Sequence, residues 1–512
     1  ALLLSASLCA CGGSKTAEGT SEAAGESSEA ETSNTLSEGT PVPGGSVVYG
    51  MTQDLASLDP HVDTDAGTRD VVFNLYEGLV KPTSDGGFIP AASDYTISDD
   101  AKTYTFTLRD GVTFHDGTPV TIEDVKYSID RYAEIQGESS AFSSLVDSVE
   151  VQDDKTLVVN LKESYSEFLP MMTIAIIPKS NENPAGNPIG TGPFKYVSYT
   201  PGQNLELEKY DGYWQEGVPS LDSVEFKFIA DVDTAFVELQ AGTIDILKYL
   251  TAAQAETLGD EDYNIVQGSM NLVHAMYLNS AYEPLSKTEV RQALCYAVDR
   301  DAINNFIFGG KSHIIGSHMI PAMSKYYEPE AETVYSYDPE EAKELLADAG
   351  YADGFDLEIT VPSSYSQHVD SAQIIADELS QVGINVTLNQ VEWSTWLQDV
   401  YKGGNFQATV IGFDGTLAPS DWLKKYVTDD AKNFMHYSNT EYDDVFNTAY
   451  TTVDDDVKVE NYKKAQMILA EDAAAVYIED PANLVAVSKK FGGYTFYPTA
   501  AEDMSLLYQV EQ

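Results

Sequence analysis

Cysteine is nearly absent: three in 512 residues, at Cys9, Cys11 and Cys295. A chain of this size with no cysteine pair in its body does not rely on disulfides for stability. No cysteine cluster is available for zinc, and His313 and His318 lack the i,i+4 spacing that would put two ligands on one helix face. No metal and no cofactor are therefore expected. Cys295 lies in an apolar helical stretch and reads as a small buried hydrophobe. Basic residues are scarce too: 29 Lys and Arg stand against 82 Asp and Glu, a formal net charge of −53. Such a field repels phosphate backbones and excludes nucleic acid as a partner. It also opposes direct docking on anionic lipid. It does not specify a cationic ligand, because surface charges are screened within about 10 Å at 0.1 M salt. Also missing is any apolar run of the roughly 20 residues that a membrane-spanning helix needs. There is no G-x-S-x-G and no H-E-x-x-H, which counts against a hydrolase. Gly309-Gly310-Lys311-Ser312 resembles a phosphate loop, but Asn305 stands where its first glycine belongs.

What is present describes a large globular chain. Hydrophobic residues make up 43% and charged residues 22%, an ordinary balance for a protein with a sizeable core. At about 100–200 residues per domain the length implies two to four domains. The 32 tyrosines suit semi-polar binding surfaces, although most belong to cores and ordinary surface.

The first ten residues, ALLLSASLCA, look like the end of a signal-peptide apolar region, with its upstream part expected to be missing. Leu8-Cys9-Ala10-Cys11-Gly12-Gly13 resembles a bacterial lipobox. Cys11 follows the small Ala10 and has Leu8 three places before it, whereas Cys9 follows the bulky Leu8 directly. Cys11 is the expected lipidated residue. Residues 12–43 are Ser, Thr, Glu, Gly and Ala with few large apolar side chains, so they are expected to form a flexible linker. An anchor, a leash and a globular body place the protein at the extracellular face of the cytoplasmic membrane, or in the periplasm where an outer membrane exists.

Along the body, strands are expected at 46–51, 103–108, 194–199, 205–209, 224–229, 244–247, 357–361, 385–391 and 406–413. Asp110-Gly111 turns the chain and 112–114 is expected to return as a strand. Thr121 with Asp124 has the capping-box spacing and opens a helix through Tyr132. Further helices are expected at 68–79, 233–241, 288–303, 339–349, 371–382 and 456–475. The βαβ alternation points to an α/β protein. No internal repeat is visible.

Together these segments resemble extracellular solute-binding protein family 5, the dipeptide-, oligopeptide- and nickel-binding proteins of ABC importers. The resemblance covers nearly the whole chain from Gly44. It is carried by Leu58-Asp59-Pro60, Tyr76-Glu77-Gly78-Leu79, Phe106 through Arg131, and Gly190-Thr191-Gly192-Pro193-Phe194. It continues through Ala241-Gly242-Thr243-Ile244-Asp245, Val290 through Arg300, and Ala342 through Gly350. The resemblance implies a bilobed α/β fold of the periplasmic-binding-protein kind, with a small extra domain and a hinge. Residues 44–78, 190–270 and 488–512 would form a discontinuous domain I, 79–189 domain II and 271–487 domain III. Ligand would sit between the lobes, which close around it. A monomer working with ABC permease subunits and a cytoplasmic ATPase is implied.

In peptide-binding members a carboxylate in a loop after a third-domain strand holds the peptide ammonium by a charge-assisted hydrogen bond. Here that loop runs from Gly412 to Trp422. Gly412 and Pro419 match the family pattern, and Phe413 and Trp422 supply aromatics. The anchoring aspartate position falls on Thr416, the spacing to Pro419 is shorter, and Asp414 stands two residues away as a substitute. Other cleft candidates follow from position: Thr52, Gln53 and Asp54 at the end of the first strand; Asn271, His274 and Tyr277 on the crossing into domain III; and Trp393 and Trp396 before the loop strand. The His115-Asp116 pair at a hairpin turn lacks the third partner that catalysis needs. The leading reading is a non-catalytic transport receptor for dipeptides or oligopeptides. A non-peptide solute (an oligosaccharide, an opine or a nickel chelate) and a surface sensor without transport are the alternatives.

Overall fold

The computed structural model describes residues 39–62, 66–138, 140–259 and 262–511. Cys9, Cys11 and the lipobox lie outside the described residues, as does the linker up to residue 38.

Two sheets organise the chain. The first has seven strands in the order Tyr263–Ser269, Ala482–Ser488, Ile246–Leu247, Ser46–Met51, Ser223–Phe228, Asn204–Lys209 and Phe194–Thr200. Its central pair, Ser46–Met51 and Ser223–Phe228, runs parallel and sets Tyr49 opposite Phe226, their rings 5.6 Å apart. The second has six strands in the order His313–Ile314, Ala475–Asp480, Val273–Leu278, Ala408–Phe413, Asp356–Pro362 and Asn385–Val391. Its central strands are buried along almost their whole length, as expected where both faces are covered. A smaller four-stranded sheet holds Ser93–Ile97, Thr103–Leu108, Thr156–Leu161 and Val146–Val151. The helix Ile122–Gln136 packs on it through Val125 and Ile129, and Thr121 with Asp124 forms the reciprocal capping box that the sequence predicts. The result is the bilobed α/β fold.

The chain passes between the two large sheets twice, side by side. Tyr263–Ser269 leads through Met270-Asn271-Leu272 into Val273–Leu278, and Ala475–Asp480 leads through Pro481 into Ala482–Ser488. The two crossings hold each other: Met270 N–H donates to Pro481 O at 2.8 Å, and Leu272 N–H donates to Asp480 Oδ1 at 3.0 Å. Asn271 takes the left-handed backbone (φ 58°), which asparagine tolerates better than most residues. The return from the second sheet to the first therefore falls at Pro481.

Three other expectations are adjusted by local chemistry. The helix expected over 288–303 is two helices, Thr288–Ala297 and Arg300–Phe308. Asp299 between them accepts from Ala302 N–H at 3.0 Å, and this cap interrupts an unbroken apolar period. Residues 112–114 make an isolated bridge between Thr113 and Pro119 instead of a strand. The expected linker stops short of residue 43, because Pro41–Val42 pairs antiparallel with the strand Tyr508–Val510.

The residues that carry the family resemblance are staples. Asp59 takes a two-pronged hydrogen bond from Arg131, at 2.9 and 2.5 Å, tying the first sheet's loop to the helix Ile122–Gln136. Glu77 accepts from Tyr213 Oη and Trp214 Nε1. A side chain on Gly192 would meet the carbonyl oxygen of Asn74 at 2.5 Å, so only glycine fits there. His115 accepts from Gly190 N–H and bonds Gly192 O through its other ring nitrogen, at 3.2 and 3.1 Å. Burial pushes its pKa down to about 4, so it is a neutral clamp on the glycine elbow. Arg291 donates to the carbonyls of Leu285, Asp472 and Ala473, satisfying the end of the helix Asp455–Glu471.

Candidate binding site

Between the lobes lies a cavity of about 1380 Å³. Its lining comes from distant parts of the chain: Phe73, Glu77 and Tyr497, then Tyr132, Phe142 and Glu167, then Tyr401, Phe413 and Lys425. Mixed aromatic and polar walls of this kind are those of small-molecule sites.

Four of the predicted ligand-binding residues line this cavity: Asn271, Phe413, Asp414 and Thr416. Asn271 donates from Nδ2 to Tyr497 O at 2.9 Å, which joins the crossing to the opposite wall. The strand Ala408–Phe413 delivers Phe413 to the cavity, where its ring meets Tyr277, Tyr401 and Phe434. The loop beyond it is folded by its own side chains. Trp422 Nε1 donates to Thr416 O at 2.9 Å, and Thr416 Oγ1 donates to Asp421 at 2.7 Å while accepting from Ala418 N–H. A side chain on Gly415 would meet the Trp422 ring at 2.5 Å, which fixes glycine there. Thr416 thus spends its hydroxyl on the loop and carries no charge for an ammonium. Asp414 is exposed, and among the described residues no donor reaches it.

The remaining candidates are not among the cavity's lining. Thr52 and Gln53 are exposed, and Asp54 accepts from Tyr199 Oη at 2.9 Å and Gly202 N–H at 2.7 Å. Tyr277 is fully buried and donates to Val273 O. Trp396 is buried, donates to Thr409 Oγ1 at 2.9 Å and stacks under the half-exposed Trp393 at 5.2 Å. Trp422 is a buried strut. His274 lies in the core opposite Glu479, Nδ1 to Oε1 3.4 Å, with His368's ring 4.8 Å away. Burial pushes the His274 pKa down to about 4 and that of Glu479 up to about 8, so at neutral pH this is an uncharged pair and not an ion pair. Sequence distance from the crossing and the loop does not say which way a side chain faces: packing turns His274, Tyr277, Trp396 and Trp422 into the core and leaves Thr52, Gln53 and Trp393 exposed away from the cavity lining.

Sequence reasoning missed the charged residues of the cavity wall. Lys81 sits between Glu77 and Asp503, at 3.6 and 3.3 Å. Lys248 sits between Asp70 and Glu502. Glu167 joins the lobes: it accepts from Ser420 N–H at 3.0 Å and Tyr462 Oη at 2.6 Å, and lies 3.5 Å from Lys458. Lys425, in the short helix after the loop, is 7% exposed and stands over the Phe413 ring at 4.7 Å. Burial pushes its pKa down to about 8, against the partial pull of Asp421 and Asp414. The sequence does not single it out: Lys424-Lys425 is one of three Lys-Lys pairs, with Lys463-Lys464 and Lys489-Lys490. No helix among the described residues is long and apolar enough to cross a membrane.

Two lobes joined by a paired crossing around one large cavity define a solute-binding protein. The model of the bacterial extracellular solute-binding proteins, family 5, matches residues 90–435, and the chain belongs to that family. It is the substrate-binding protein of an ABC importer. It is 28% identical to the glutathione-binding protein GsiB of Pectobacterium atrosepticum over 467 residues, covering 86% of this chain and 90% of that one. The solved structure of AgaA from A. tumefaciens in complex with agropinic acid is 30% identical, with TM-score 0.72, covering 91% of this chain and 99% of that one. DppA of Helicobacter pylori in complex with the peptide STSA is 25% identical, with TM-score 0.72, covering 93% and 99%.

Proposed function

We propose that this protein captures a peptide, or a peptide-like solute such as glutathione, in the cavity between its lobes and hands it to a permease. The observation that carries the reading is the cavity of about 1380 Å³, room for a short peptide, with Phe413, Asp414 and Asn271 on its wall. The similarity to a glutathione-binding and a peptide-bound protein supports the solute class. The protein works as a monomer, held by lipid on Cys11 at the extracellular face of the membrane. Phe413, Asp414, Thr416 and Asn271 contact ligand. His274, Tyr277, Trp396 and Trp422 support that wall from behind. Native mass spectrometry of the purified protein, followed by denaturation, tests this directly. Release of short peptides or glutathione upholds it, and release of a sugar or a metal chelate overturns the solute class.

A second reading has its own support. Thr416 replaces the ammonium anchor, and the 30% identical AgaA binds agropinic acid. An opine-like solute would fit both facts. Asp414 decides between them. If it holds a ligand ammonium, Asp414→Ala weakens peptide binding by about 2 kcal/mol, in the range for hydrogen bonds to charged groups. Isothermal titration measures this, and an unchanged affinity removes Asp414 from the site.

A further inference from the structure

We propose that Lys425 is the receptor for a carboxylate of the bound solute. The inference rests on the reading of the inter-lobe cavity as the solute site. Four lysines line that cavity: Lys81, Lys248, Lys425 and Lys432. Lys81 and Lys248 are each flanked by two carboxylates, and Lys432 pairs with Asp421 at 3.7 Å. Lys425 has no ion pair and no hydrogen-bond acceptor among the described residues. Its two nearest acids are otherwise disposed: Asp421 accepts from Thr416 and faces Lys432, and Asp414 is exposed. What the ammonium does have is the face of Phe413 at 4.7 Å, which orients a cation without neutralising it.

A buried ammonium without a counter-ion is costly in a folded protein. In a chain carrying 82 acidic residues, leaving this cation unpaired on a cavity wall is a specific arrangement. A carboxylate entering the cavity would complete it with a short charge-assisted hydrogen bond. Where the loop lacks its expected ammonium anchor at Thr416, the short helix that follows it thus presents the opposite charge nine residues later. With Asp414 on the preceding loop, this stretch of wall offers one group of each sign, which matches the zwitterionic head of an amino acid.

The test uses four probes: trialanine, trialanine amide, glutathione and agropinic acid. Each is titrated calorimetrically into the wild-type protein, Lys425→Met and Lys425→Arg. We expect at least one free acid to bind the wild type and to bind Lys425→Met at least tenfold more weakly, with Lys425→Arg recovering part of the loss. Where trialanine binds, its amide should bind the wild type at least tenfold more weakly, and Lys425→Met should no longer distinguish them. Ligand-free Lys425→Met should melt no lower than wild type, since it loses an unpaired buried charge. Acids that bind wild type and Lys425→Met within twofold of each other overturn the assignment and leave the peptide reading standing. Binding of agropinic acid alone, still dependent on Lys425, overturns the peptide reading and leaves the assignment standing. If none of the three acids binds the wild type, the carboxylate assignment falls.

Discussion

Glu479→Gln is expected to stabilise the protein by up to about 5 kcal/mol above pH 8 and by less than about 1 kcal/mol at pH 5. Glu479 is fully buried opposite His274, and its Oε2 has no partner among the described residues. Burial raises its pKa from 4.5 to about 8 in the folded chain. Between those values the folded state keeps a proton that the unfolded state has released. Stability from this group is therefore full below about pH 4.5 and is lost as pH rises through about 8. At about 1.36 kcal/mol per unit the loss sums to about 5 kcal/mol, a ceiling that local relaxation lowers. Glutamine has the same shape, stays neutral and offers His274 a donor, so it does not share the loss. Asp480, pushed up to about 7 by burial, shifts both proteins with the same sign and cancels in the comparison. Urea unfolding of the two proteins at pH 5, 6.5 and 8.5 gives the answer. A difference that does not grow with pH would show that Glu479 is not a neutral buried acid.

Glu167→Ala is expected to cost about 3–5 kcal/mol, the range for removing one partner of a buried ion pair. The loss has three parts. Ser420 N–H and Tyr462 Oη lose their acceptor, and Lys458, with a side chain 5% exposed, loses its counter-ion. All three belong to the lobe opposite Glu167, so the variant weakens the contact between lobes more than either lobe's core. Glu167→Gln keeps an acceptor and should lose less. Denaturation gives the magnitude, and hydrogen exchange locates it: faster exchange should appear first around Ser420 and in the helix Asp455–Glu471. A cost under about 1 kcal/mol would mean that water replaces the carboxylate.

The fold was legible because its signals are local. Thr121 and Asp124 mark a helix start by cap chemistry that depends on four residues alone. The glycine elbow Gly190–Gly192 and the Asp59–Arg131 staple belong to motifs readable in order along the chain. The site was less legible because its members are brought together by packing. Phe413 and Asp414 could be placed from the end of a strand, and both line the cavity. His274 and Tyr277 sit on the same sheet, yet a strand covered on both faces gives no pattern that says which side chains reach solvent. Glu167 and Lys458 are nearly three hundred positions apart, and no spacing rule connects them. Lys425 acquires its meaning only from an absent partner, which a sequence does not display.

The paired crossing also sets an order of assembly. Tyr263–Ser269 bonds along its whole length to Ala482–Ser488, and every residue of the second sheet lies between those two segments. During synthesis at about 5–20 residues per second, the first sheet must wait on the order of ten seconds or more for its last strand. Until then Tyr263–Ser269 and Ile246–Leu247 are open edges, the kind of surface on which other chains aggregate. The second sheet waits almost as long, because Ala475–Asp480, which pairs with both Val273–Leu278 and His313–Ile314, is made just ahead of Pro481; once Pro481 stands beside Met270, both sheets receive their last strands in register. The lobe that helps enclose the solute thereby also delivers the strand that completes its neighbour.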